Sequence, residues 1–94
     1  MPPSAQDLPI GNSIDAGTPI RSSVQLGAVI RDQRKRLALK QLDLAGLGNT
    51  GNRFIVDLEN GKPTVQLQKV LDLMDLLGLE VVVRTKASRS ASSL

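Results

Sequence analysis

At 94 residues, with a formal net charge of +3 and a pI near 9.8, the chain has room for one small domain whose charge is compatible with a polyanionic partner without requiring one. It has no Cys and no His, which excludes disulfides, thiolate zinc sites and thiol nucleophiles and removes the commonest metal ligand and general base. No nucleophile–base pair and no phosphate-binding glycine loop is present, so the chain does not read as an enzyme, and neither a metal nor a cofactor is expected.

Residues 1–19 mix Pro, Gly, Ser and Asp with isolated apolar residues and read as a flexible N-terminal arm. The opening MPPSAQDLPIGNS has neither a basic n-region nor an apolar h-region, so no signal peptide is expected. No apolar run approaches the roughly 20 residues of a membrane span. The chain therefore reads as a cytoplasmic protein. Its folded domain is expected over residues 20–86, and ASRSASSL, residues 87–94, forms a second flexible tail whose terminal Leu94 is available to a partner's pocket.

Within 20–86 the first helix follows Ser22 and Ser23 through VQLGAVIRDQRKRLA, where Leu26, Val29, Ile30 and Leu37 share one face. A Ser cap opens it, and the basic run Arg34-Lys35-Arg36 suits the negative end of the helix dipole. A second short helix fits Lys40 to Leu47, with Leu44, Ala45 and Leu47 available for packing. Gly48-Asn49-Thr50 then makes a turn, because Gly and Asn both accept positive φ. A third helix fits Asn52 to Glu59 with Ile55 and Leu58 inward, and Asn60-Gly61 stops it. Pro63 and Thr64 open a fourth helix, in which Val65, Leu67, Val70, Leu71, Met74 and Leu77 form a broad apolar face that Gly78 ends.

After Gly78 the pattern changes to the β-branched run LEVVVRT, which favours a strand. A single strand needs a partner for its backbone groups, and the chain offers no second one. Pairing of Leu79, Val81, Val82 and Val83 with the same strand of another copy is therefore expected, giving a symmetric homodimer.

Two short helices joined by a tight turn and followed by further helices make a helix-turn-helix arrangement. Its second helix presents its N-terminal end to the major groove. Arg53 has the donor fork for guanine and Asn52 the amide for adenine. Asn52 serves equally as a helix cap, and Asp57 is either an acceptor for cytosine or a solvated acid. Phe54 reads as core or dimer packing, with a thymine methyl as the other partner.

The stretch QLGAVIRDQRKRLALKQLDLA…FIVDLENGKPT resembles the Xre/Cro-type helix-turn-helix domain over residues 24–78. Gln41, Leu44-Ala45, Ile55, Leu58-Glu59 and Gly61-Lys62 carry that resemblance. The continuation PTVQLQKVLDLMDLLGLEVVV is similar to the HipB-type antitoxins, in which one more strand forms a dimer sheet. The resemblance implies a mainly α, lambda-repressor-like bundle of four to five helices with one C-terminal β-strand in an intersubunit sheet.

It also implies roles. Asn52, Arg53 and Asp57 take positions that reach base edges, while Gln41, Asn60 and Lys62 take positions that meet phosphate. Arg34 and Glu59 match a partly buried ion pair between the first and third helices. Lys40 stands where the family has a small capping hydroxyl; Lys40 and Lys62 both flank the recognition unit and are phosphate contacts or solvated lysines. Asn49 replaces the usual turn Gly, and Gly51 the usual Ser or Thr cap.

The function expected from these residues is a sequence-specific repressor on a pseudo-palindromic double-stranded DNA operator, associated with the nucleoid. The HipB resemblance implies an antitoxin that represses its own operon and binds a kinase toxin. The alternative is a stand-alone Xre-type transcriptional regulator without a toxin.

Overall fold

The computed structural model describes residues 17–86. The expected arms at 1–19 and 87–94, apart from residues 17–19, lie outside the described residues. Four helices are present among them: α1, Ser23–Arg36; α2, Gln41–Leu47; α3, Asn52–Glu59; and α4, Leu67–Leu76. None is long and apolar enough to cross a membrane.

All four helices stop by the same device. The residue one past the C-cap takes a left-handed conformation: Ala38 at φ 59°, Asn49 at 52°, Gly61 at 85° and Gly78 at 77°. The next amide then reaches back into the last turn, as Leu39 N to Arg34 O (3.1 Å), Thr50 N to Ala45 O (2.9 Å), Lys62 N to Asp57 O (2.9 Å) and Leu79 N to Met74 O (2.8 Å). This is the Schellman arrangement, which satisfies carbonyls that a helix end leaves orphaned. Glycine suits the position, and Asn tolerates it through its short polar side chain. Ala38 has neither advantage.

Helix starts are less uniform. Ser22 accepts a hydrogen bond from Gln25 N at 3.1 Å and caps α1. Helix α2 begins at Gln41 rather than Lys40, because Lys40 is its extended N-cap, with ψ 163°. A lysine has no acceptor to offer as a cap. Instead Asp43 Oδ2 accepts from the Lys40 amide at 2.8 Å, the reverse half of a capping box. The fourth helix departs most from expectation: Pro63, Thr64 and Val65 form a turn, and helical structure begins only at Leu67 after an extended Gln66. Val65 instead packs against the core from that turn.

The core is aliphatic: Ile30 from α1, Leu44 and Ala45 from α2, Ile55 and Leu58 from α3, and Val70, Leu73, Met74 and Leu77 from α4 and its cap. Leu37, Leu47 and Leu67, expected to pack inward, are instead exposed, at 46%, 61% and 69%. Each lies at a helix end, where the face they share with core residues has already run past the neighbouring helix. Helix α1 rests directly on the end of α3. A Cβ added at Gly27 would stand 2.4 Å from Leu58 O and 2.7 Å from Glu59 O, so only glycine permits this approach. Ser23 Oγ donates to Gly61 O at 2.7 Å and ties the same two elements one turn earlier. Gln33 Nε2 donates to Leu77 O at 2.9 Å and fixes α4 to α1.

Residues 79–86 form neither helix nor strand within the single chain. Val81, Val82 and Val83 are exposed. Val81 and Val82 border an open concavity whose other apolar walls include Ile20, Leu26, Val29, Leu67, Leu71 and Leu79.

Candidate nucleic-acid interface

Helices α2 and α3 are joined by Gly48-Asn49-Thr50-Gly51, and the turn is built to set their angle. A Cβ at Gly48 would lie 2.9 Å from Leu73 Cδ1 and 3.3 Å from Leu44 O, so the turn is pressed against α4. Asn49 supplies the left-handed residue that ends α2. Gly51 is the N-cap of α3; it contributes no side-chain cap, and a Cβ there would meet nothing within 4 Å. The start of α3 thus faces outward with the positive end of its dipole, an arrangement that favours an approaching anion.

Asn52 and Arg53 occupy this first turn, and both are exposed. The Arg53 side chain is 87% exposed, and its contact to the protein is an Nε–Oδ1 approach of 3.4 Å to Asp57 one turn on. The Asp57 side chain is only 22% exposed, and its second oxygen lies 3.5 Å from Lys62 Nζ. Val56, one turn beyond Asn52, is half-buried on the same outward face. Its apolar side chain carries no sequence signal of a ligand contact, and only Ile55 and Leu58 of this helix stand out by their spacing. Asn60 is the exposed C-cap of α3, and Lys62 follows the left-handed Gly61. Asn52, Arg53, Asp57, Asn60 and Lys62 therefore lie along one helix and its exit.

A buried network holds that helix in place. Arg34 Nε and Nη2 donate to the two oxygens of Glu59 at 2.6 and 3.0 Å. Both residues are buried. Nη1 of Arg34 donates to Leu39 O at 2.8 Å, pinning the strained Ala38 turn that leads into α2. Gln41 Nε2 donates to Glu59 Oε1 at 3.1 Å. One carboxylate thus binds α1, α2 and α3 together. Its hydrogen bond raises the pKa of the Arg34 guanidinium, outweighing the opposing effect of burial. Arg34 is accordingly committed to the interior and unavailable to a ligand. Gln41 keeps one of its two amide hydrogens, so a donor to phosphate is still on hand. Lys40 is exposed just ahead of it.

Phe54 lies half-buried against the core, with Lys69 Nζ 5.6 Å from its ring centre. That placement agrees with a packing role. Among the described residues, no group of three or more Asp or Glu side chains could hold a metal ion.

No protein-family model matches the chain. An uncharacterized HTH-type transcriptional regulator, y4mF, from Sinorhizobium fredii is 43% identical over 70 residues, 74% of this chain and 92% of the relative. Among solved structures, an "MDT Protein" superposes with a TM-score of 0.67 at 20% identity, over 73% of this chain and 97% of the other. A chain of the "HipB-O4 20mer complex" matches with the same TM-score, identity and coverage. At that identity the structural matches speak for the fold alone.

Proposed function

The chain belongs to the HTH-type transcriptional regulators, and from that premise we propose that it is a homodimeric repressor that reads a pseudo-palindromic double-stranded DNA operator in the cytoplasm. The observation that carries this reading is the end of α3. Asn52 and the 87% exposed Arg53 project from a helix start whose capping residue has no side chain. Arg53 donates to guanine and Asn52 pairs with adenine, while Lys40, Gln41, Asn60 and Lys62 meet phosphates on either side.

The dimer is supported by Leu79, Val81, Val82 and Val83 and the apolar concavity beside them. Their strand forms when the same segment of a second copy supplies its ladder. A two-fold dimer sets half-sites on the order of 34 Å apart, or a multiple of that. Residues 20–86 constitute the DNA-binding and dimerisation unit in this reading.

Within the family, the resemblance of PTVQLQKVLDLMDLLGLEVVV to the HipB-type antitoxins supports an antitoxin that represses its own operon and binds a kinase toxin. The relative from Sinorhizobium is described as a regulator, which favours the second reading, a stand-alone Xre-type regulator. Footprinting on the chain's own upstream DNA, repeated with the neighbouring gene's product added, separates them. A protected palindrome whose occupancy changes with that product supports the antitoxin. A protected site indifferent to it supports the stand-alone regulator. Absence of any preferred site refutes the repressor reading altogether.

A further inference from the structure

An acidic residue at position 57 is unfavourable on three counts. It places a negative charge on the face that is to meet phosphates. It sits in the last turns of α3, where the helix dipole disfavours an anion. It also follows Arg53 by four residues, the weaker order for an i,i+4 ion pair. A freely solvated acid would carry these costs with nothing in return, yet the Asp57 side chain is only 22% exposed, and each oxygen faces a different cation, Arg53 Nε at 3.4 Å and Lys62 Nζ at 3.5 Å. Its carbonyl also accepts the Lys62 amide at 2.9 Å. The residue therefore holds Lys62 by backbone and side chain together.

We infer that Asp57 is a positioning residue for DNA recognition, acting through Arg53 and Lys62 rather than on a base. This rests on the DNA-binding reading above. An exposed pair at these distances adds little to folding. Its effect lies in which orientations it leaves to the cations. Contact through Nε restrains the Arg53 stem and leaves the outer guanidinium nitrogens for the two acceptors of a guanine edge. The same carboxylate keeps Lys62 at the exit of α3. Restricting both before binding removes part of the ordering cost of the complex and narrows the sequences that Arg53 can satisfy. A free Arg53 would swing to any nearby phosphate.

The test uses the full chain and two readouts. In the unbound protein, relaxation of the Arg53 Nε–Hε signal should show an ordered side chain that becomes mobile in Asp57→Asn. On DNA, binding of wild type, R53A, D57N and the double variant is compared on the preferred site and on a site altered at the base pair that R53A identifies. Removing a negative charge strengthens binding to all DNA, so the readout is the ratio between the two sites. D57N should lose discrimination at that same base pair by about fivefold or more, the lower end of what one base contact contributes, and the double variant should be no worse than R53A. Loss at a different base pair, independent of Arg53, would mean direct reading of a base and would overturn the inference. So would an unchanged ratio, or an Arg53 signal as mobile in wild type as in D57N. If wild type prefers no site, the DNA-binding reading fails, while the relaxation measurement still decides whether Asp57 holds Arg53.

Discussion

The Glu59 carboxylate meets Arg34 through two hydrogen bonds of 2.6 and 3.0 Å inside the protein, joining α3 to α1. Gln41 adds a third bond to the same group. Glu59→Gln removes the charge without changing the shape and leaves a guanidinium buried without its counterion. A loss of about 3–5 kcal/mol in urea unfolding is expected. Replacing both partners by apolar residues, R34M with E59L, should recover much of it.

Arg53 and Lys62 differ in what they contribute to binding. Arg53→Ala should weaken the preferred site by about 1–3 kcal/mol and relax one base position, with thermal stability almost unchanged. Lys62→Ala should weaken all sequences alike and reduce the slope of log K against log salt by about one. Fluorescence anisotropy titrations at several salt concentrations measure both.

Two helical glycines make a matched pair. Gly27→Ala drives a methyl to 2.4 Å from Leu58 O and should destabilise by on the order of 1–3 kcal/mol, since neither backbone can yield cheaply. A methyl added at Gly46 in α2 would meet nothing within 4 Å. Gly46→Ala should therefore stabilise by about 0.5–1 kcal/mol through helix propensity. Chemical denaturation of the two variants gives opposite signs if the close approach of α1 and α3 is correct.

Ala38 ends α1 at φ 59°, a conformation that costs an L-residue with a Cβ roughly 1–2 kcal/mol. Ala38→Gly removes that strain but loosens the unfolded chain by about 0.4–1 kcal/mol. A net gain of up to about 1.6 kcal/mol is expected in the free energy of unfolding. No gain would mean that the Arg34 bond to Leu39 O already absorbs the cost.

A chain cut after Gly78 loses Leu79 to Val83 but keeps the four helices. Gel filtration should show a monomer where the full chain runs as a dimer. A dimer that survives the cut would assign the interface to the helices alone.

Periodicity and punctuation in the sequence determined the four helices, with α3 at Asn52–Glu59 to the residue and α1 and α2 nearly so, because local propensity, capping and the inward spacing of Ile55 and Leu58 all agree there. They also determined the outward set at the start of α3, since polar residues after a turn have no core to enter. The tertiary structure decided the rest. Pro63 suits a helix start, but Val65 gains more by packing inward from a turn than by lengthening α4. Leu37, Leu47 and Leu67 fit the apolar stripes, yet the stripes outlast the surfaces that cover them. Gly27 carries no local signal at all: its necessity comes from a backbone 31 residues away in α3, at Leu58. Asp57 is one charge among several along the chain, and only the fold sets a cation against each of its oxygens. Local chemistry fixes what a segment prefers; only the assembled helices determine which atoms must share the space between them.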